Sequence, residues 1–113
     1  MTELSEAEFL SQRVLPWIRE RHPTASIETE RWIHRTGAFC DVWVDLGTHE
    51  LAIEVGNNPS SVRAEAAQAM EYAAESGSAV PVVVVPTDHA EPSVVEVFEE
   101  RGVLVWFVPT ERT

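Results

Sequence analysis

Apolar residues near the start of the chain recur at helical spacing, with Phe9, Leu10, Val14, Trp17 and Ile18 on one stripe. That period predicts a helix over residues 4 to 21. Pro16 lies inside it and should kink it, because proline lacks the N–H that closes a helical turn. His22-Pro23-Thr24 ends the helix, and the period then changes. Ile27 to His34 reads as a strand, with a turn at Thr36-Gly37. Cys40 to Leu46 and Glu50 to Val55 read as two further strands, joined at Gly47-Thr48. Glycine at the first central position suits a two-residue hairpin turn. That turn fixes a register in which Asp45 faces Glu50, Val44 faces Leu51 and Asp41 faces Glu54; a four-residue loop over Leu46 to His49 gives the same pairing. One hairpin face then carries Val42, Val44, Leu46, Leu51, Ile53 and Val55, and is core. The other carries Asp41, Trp43, Asp45, Glu50, Ala52 and Glu54.

Asn58-Pro59-Ser60-Ser61 opens a second helix, with proline well placed in a first turn. Its apolar stripe is Val62, Ala66, Ala69, Met70 and Ala73, and Gly77 is a plausible cap. Val82 to Val85, bracketed by Pro81 and Pro86, shows no alternation, which predicts a strand buried on both faces, as parallel strands are. Residues 92 to 101 read as a third helix ending at Gly102, and Val103 to Val108 as a last strand. The order α-β-β-β-α-β-α-β predicts one α/β domain, a mixed sheet flanked by helices.

Composition narrows the setting. At 113 residues and 44% hydrophobic, the chain is long enough for a modest core. Its single cysteine, Cys40, forms no internal disulfide, which fits a reducing cytoplasm. No apolar run approaches membrane-spanning length. Asp+Glu is 19 against Lys+Arg 8, a net charge of −11, and all of the basic residues counted there are arginine. Strong acidity without lysine resembles proteins of salt-in halophilic archaea or their viruses; an acidic protein from a GC-rich genome is the alternative. Acidity argues against nucleic acid in dilute buffer. In molar salt the screening length is about 3 Å, so net charge is then no barrier.

The hairpin register brings Asp41 and Glu54 directly opposite, with Cβ atoms roughly 4.5–5.5 Å apart. Like charges that close must take up a proton or share a cation, and hard divalent ions prefer such oxygen ligands. The plainer reading is a solvated sheet face in an acid-rich protein, which also suits the opposed Asp45 and Glu50.

An Asp on one hairpin strand (Asp41-Val42-Trp43-Val44), followed by Ala52-Ile53-Glu54-Val55-Gly56 on the next, resembles the core of the PD-(D/E)XK nuclease superfamily. The helix that follows carries Gln68-Ala69-Met70-Glu71-Tyr72, similar to the Gln-x-x-x-Tyr motif of its RecB-like branch. The element order is also similar, over about residues 4 to 86. The resemblance implies a restriction-endonuclease-like fold, DNA as partner, and phosphodiester hydrolysis with Mg²⁺ or Mn²⁺. It implies that Asp41 and Glu54 hold the metal with the Val55 carbonyl, and that Gln68 and Tyr72 steady the substrate or the metal water. In related junction-cleaving enzymes a Glu on the first helix completes the site. Glu6 is the candidate here, with Glu8 as rival. On a helical wheel Gln68 and Tyr72 lie at one edge of the apolar stripe, with Ser61 and Glu65 alongside; Tyr72 also fits as a simple core-edge residue.

One position departs from the pattern: the motif lysine is replaced by Gly56, and Arg63, the nearest cation by sequence, lies on the opposite helix edge from Gln68. The four histidines are scattered without ligand spacing. Cys40 is expected on the sheet side opposite Asp41, as a small core residue. Arg31, His34 and Arg35 form a basic cluster that could meet phosphate or pair with surface carboxylates. Three readings stand: a metal-dependent nuclease, a non-catalytic nuclease-fold protein binding DNA or a protein, and a structural or homodimer module using Trp106 and Phe107.

Overall fold

The computed structural model describes residues 4–34, 36–56, 62–77, 79–87, 95 and 98–110. The first helical segment is α1 (Glu6–Phe9), a π-helical turn (Leu10–Val14), then α2 (Leu15–Arg21). Ser5 and Glu8 cap α1 reciprocally, each side chain taking the other's backbone N–H at 3.1 Å. The expected kink at Pro16 takes the form of the widened turn. Proline offers no N–H to the Gln12 carbonyl, which receives Arg13 Nη1 at 3.2 Å instead, while the Leu15 N–H reaches back to the Leu10 carbonyl. The wide turn keeps Phe9, Val14 and Ile18 on one buried face despite the five-residue step from Phe9 to Val14.

Five strands follow: β1 (Ser26–Ile33), β2 (Ala38–Asp45), β3 (Glu50–Val55), β4 (Ala79–Pro86) and β5 (Leu104–Val108). They lie side by side in chain order. The first three are antiparallel neighbours, whereas β4 runs parallel to both β3 and β5. The sheet is therefore mixed, as the sequence predicts. The hairpin register is also as expected, with Asp45 opposite Glu50 and Val42 opposite Ile53. Gly47 makes it possible with a φ of 89°, and the Leu46 N–H closes the loop on the His49 carbonyl at 3.0 Å.

The helix α3 (Val62–Glu75) links β3 to β4. Its predicted start at Asn58–Ser61 lies outside the described residues, as does much of the predicted helix 92–101. Residues 98–100 are helical, and Gly102 at φ 81° then turns the chain into β5. Strand β4 is longer than expected and includes both Pro81 and Pro86, while Val82 to Val85 are at most 2% exposed.

The sheet has a layer on each face. Phe9, Val14 and Ile18 pack on Val42, Val44, Leu51, Ile53, Val55, Val82 and Val84. On the opposite face, α3 places Ala66 and Ala69 against Val83 and Val85, and Tyr72 and Ala73 against Ile33, Cys40, Trp43 and Ala52. Met70, expected in the α3 stripe, is instead 41% exposed, and Tyr72 takes the buried position. Glu50 ties this layer down, accepting from Trp43 Nε1 at 2.6 Å and from the Ser76 hydroxyl at 3.1 Å. Among the described residues no helix is long and apolar enough to cross a membrane.

Cys40 corrects the simple alternation. It shares a cluster with Trp43 and Ala52, not with Val42 and Val44. On β1, Ile27 packs with the first layer and Ile33 with the second, although both are odd-numbered. The faces of both strands exchange between Thr29–Val42 and Arg31–Cys40, the ladder pairs that flank Glu30 and Asp41. Glu30 has a φ of 53°, a left-handed conformation that rotates the chain at this point.

The core depends on the hairpin interior. Ile53 is fully buried, so Ile53→Ala should remove about 2–5 kcal/mol of stability. Urea unfolding should show a lower midpoint with an unchanged slope, whereas the exposed Thr48→Ala should lie within about 0.5 kcal/mol of the parent.

Candidate metal centre

The ladder between β2 and β3 stops at Val42–Ile53, one pair short of Asp41 and Glu54. Beyond it, side chains replace backbone carbonyls as acceptors. The Asp41 N–H donates to Glu54 Oε2 at 2.8 Å, and the Val55 N–H donates to Asp41 Oδ2 at 2.9 Å. Each carboxylate is thus pinned by an amide of the opposite strand.

Glu54 is 3% exposed. Burial pushes its carboxyl up to about 8, and the adjacent Asp41 charge adds to that. Asp41 is also raised, by burial first, against the lowering effect of the Val55 N–H. Each carboxyl's charge disfavours the other's, so the pair holds its protons more tightly than free carboxyls do. This is the behaviour of two carboxylates sharing one site.

A third carboxylate joins from α3. Oxygens of Asp41, Glu54 and Glu65 all lie within 4.8 Å of one another. Burial, then the charges of Glu6 and Asp41, pushes Glu65 up to about 7. Glu6, on α1, is raised by burial and by Asp41. Among the described residues the charged groups acting on Asp41, Glu54 and Glu65 are all acidic, Glu30 included. Clustered carboxylate oxygens of this kind are hard ligands and match what a small divalent ion coordinates.

Of the residues expected at the site, Asp41 and Glu54 stand together and Glu6 lies within their electrostatic reach. Val55 contributes its N–H to Asp41. Tyr72 is 4% exposed, and its hydroxyl is held protonated by burial and then by the Glu54 charge. Gln68 is exposed, so the two motif residues part company. The rival Glu8 is committed to the Ser5 cap, which lowers its pKa. Gly56 is buried and extends the parallel ladder, donating to the Val84 carbonyl at 2.9 Å. Arg63 is exposed. Arg31 lies over the Trp43 ring at 4.3 Å, and Arg35 falls outside the described residues. Cys40 is pushed up to about 12, chiefly by burial, and is an inert thiol.

Glu65 is the site residue that sequence reasoning left in the background. Its signal was its place seven residues before Tyr72, two turns along one helix edge. No family model matches the chain, and neither does any curated protein or solved structure.

The cluster should impose an unusual pH dependence on the metal-free protein. Glu54 and Glu65 ordinarily titrate at 4.5 and are raised in the folded state to about 8 and about 7. Between those limits the folded protein holds protons that the unfolded chain has released, so stability falls as pH rises. The contribution is complete below pH 4.5 and gone above pH 8. Melting in EDTA should therefore show a lower Tm at pH 8 than at pH 5.5, with the difference reduced in Glu54→Gln. A Tm that rises over this interval and ignores the substitution would contradict the arrangement.

Proposed function

We propose that the chain is a divalent-metal-dependent phosphodiesterase of nuclease type acting on DNA, related to the PD-(D/E)XK enzymes. The observation that carries the reading is the convergence of Asp41, Glu54 and Glu65 oxygens within 4.8 Å. Mg²⁺ or Mn²⁺ would be held by these three carboxylates, with the Val55 carbonyl as a further donor and Glu6 at the margin. When bound, the ion supplies Lewis acidity toward phosphate and a water of lowered pKa.

The chain's own residues supply the rest. Asp41 and Glu54 are fixed by opposite-strand amides, so their oxygens need no reorganisation to receive a cation. Tyr72 remains protonated and so keeps an O–H to donate, which suits contact with an anionic phosphate or a ligand water. Gln68 is exposed and suited to meeting substrate from solvent. The acidic surface, −11 overall, favours catalysis in concentrated salt, where phosphate is not repelled.

A second reading has its own observation. Gly56 stands where the motif lysine would be, is buried, and uses its amide in the ladder. The chain contains no lysine, so the cation that would stabilise the attacked phosphate is missing. A protein that keeps the metal and binds DNA without cutting it fits this feature. The homodimer reading is weaker, since Trp106 packs on Trp17 at 5.3 Å and Phe107 on the α3 layer within the same chain.

Cleavage of linear, branched and single-stranded DNA in molar KCl separates the two. The nuclease reading expects slow cutting that requires Mg²⁺ or Mn²⁺ and disappears in Glu54→Gln, with Glu8→Ala unaffected. Loss of a preorganised charge-stabilising group typically lowers rate by about 10²–10³. Gly56→Lys, if folded, should therefore raise the rate. Metal binding and DNA binding without cleavage by either protein would favour the second reading. Cleavage that survives Glu54→Gln would place the chemistry elsewhere.

A further inference from the structure

The β1–β2 ladder misses one pair. Thr29–Val42 and Arg31–Cys40 are matched on either side, which leaves Glu30 opposite Asp41 without a bridge between them. The register is the same on both sides of the gap, so no residue has been inserted. Glu30 has a φ of 53°, the one left-handed backbone outside glycine among the described residues. A residue carrying a Cβ is disfavoured there. The Glu30 side chain is exposed, so its own burial does not hold it in place. Strain of this kind persists where the surrounding structure fixes it, and it gathers at functional sites.

Hydrogen-bond parity shows what the strained residue does. In an antiparallel ladder the N–H groups of alternate residues point to opposite neighbours. The Leu46 N–H closes the hairpin on the His49 carbonyl, so even-numbered residues of β2 turn their amides to β3 and odd-numbered ones to β1. Continued regularly, that alternation would aim the Asp41 N–H at the Glu30 carbonyl. The amide goes to the other side, donating to Glu54 Oε2 on β3 at 2.8 Å. The left-handed turn at Glu30 takes the acceptor opposite Asp41 out of the ladder, and the Asp41 amide is released to the carboxylate.

We infer that Glu30 is a positioning residue for the carboxylate centre: its left-handed backbone withdraws the acceptor opposite Asp41 and so hands the Asp41 N–H to Glu54. The role belongs to the backbone of residue 30 and not to its carboxylate. The inference rests on the metal-centre reading for its consequence alone, which is a Glu54 side chain tied to β2 before an ion arrives. With residue 30 extended, the Asp41 N–H would rejoin the β1 ladder. Glu54 would then lose that donor, and the pair would receive a cation less well ordered.

Substitutions at position 30 of the full chain separate conformation from charge. They are read by calorimetric Mn²⁺ titration, by urea unfolding and by the amide NMR spectrum of the metal-free protein. Glu30→Gly, for which a positive φ carries no steric cost, should raise the unfolding midpoint and keep an Mn²⁺ affinity close to the parent's. Glu30→Gln should also keep that affinity, since it removes the charge and leaves the conformation. Glu30→Val, which resists a left-handed backbone, should lower Mn²⁺ affinity on the order of 10–100-fold, as loss of an outer contact to a metal ligand does. In the parent and in Glu30→Gly, adding Glu54→Gln should move the Asp41 amide proton more than any other in β2; in Glu30→Val it should not. A midpoint lowered by Glu30→Gly overturns the inference whether or not Glu30→Val folds, because glycine weakens a residue held in a regular strand. So does a loss of Mn²⁺ affinity in Glu30→Gln as large as in Glu30→Val, which would make the carboxylate the working group. An Asp41 amide indifferent to Glu54→Gln in the parent overturns it too. A parent that shows the amide response yet binds no Mn²⁺ sinks the metal centre alone, and leaves Glu30 as the residue that sets the Asp41–Glu54 contact.

Discussion

Two backbone amides hold the centre of this protein together. The Asp41 N–H and the Val55 N–H lie just beyond the point where the β2–β3 ladder ends. They point at carboxylates, at 2.8 and 2.9 Å. A hydrogen bond to a charged acceptor is stronger than one between neutral groups, so the arrangement is favourable locally. Its consequence is that two acids are carried into the half-buried region between strands. Burial disfavours their charged forms, and each disfavours the charge of the other.

The rest of the site follows from that constraint. Burial and mutual repulsion make the pair hold its protons more tightly than free carboxyls, and Glu65 joins the same electrostatic unit from α3. The fold could have relieved the strain with an arginine. Arg31 lies instead over the Trp43 ring at 4.3 Å, and Arg63 is turned to solvent. The acids stay grouped because the hairpin is anchored on both faces, by the Phe9–Val14–Ile18 layer and by the Glu50 contacts to Trp43 and Ser76. Isolated, such a cluster would be a liability of several kcal/mol. A divalent ion bound there, as we propose, would turn the same geometry into a stabilising feature.

Much of this was legible in the sequence. Strict alternation on two strands and a glycine at the turn fix the register, and register alone puts Asp41 opposite Glu54. The unbroken valines of β4 announce a strand buried on both sides. The exchange of faces at Glu30 and Asp41 was not legible, because a glutamate at φ 53° has no sequence signature. Cys40 was consequently assigned to the wrong layer. The π turn was half-legible, since Pro16 marks a defect without saying whether the helix bends or widens. Glu65 and Gln68 share one helix edge, and only the docking angle of α3 decides which of them turns inward. Tyr72, not Met70, filled the buried position for the same reason.

The central claim is that a divalent ion held by Asp41 and Glu54 displaces protons that burial keeps on the carboxylate cluster. Calorimetric titration of Mn²⁺ into the metal-free protein at pH 7, in two buffers of different ionisation enthalpy, measures binding and proton release together. The account expects one ion per chain and the release of between one and two protons, with both lost in Glu54→Gln. Absence of binding, or binding that releases no proton and survives Glu54→Gln, would contradict it.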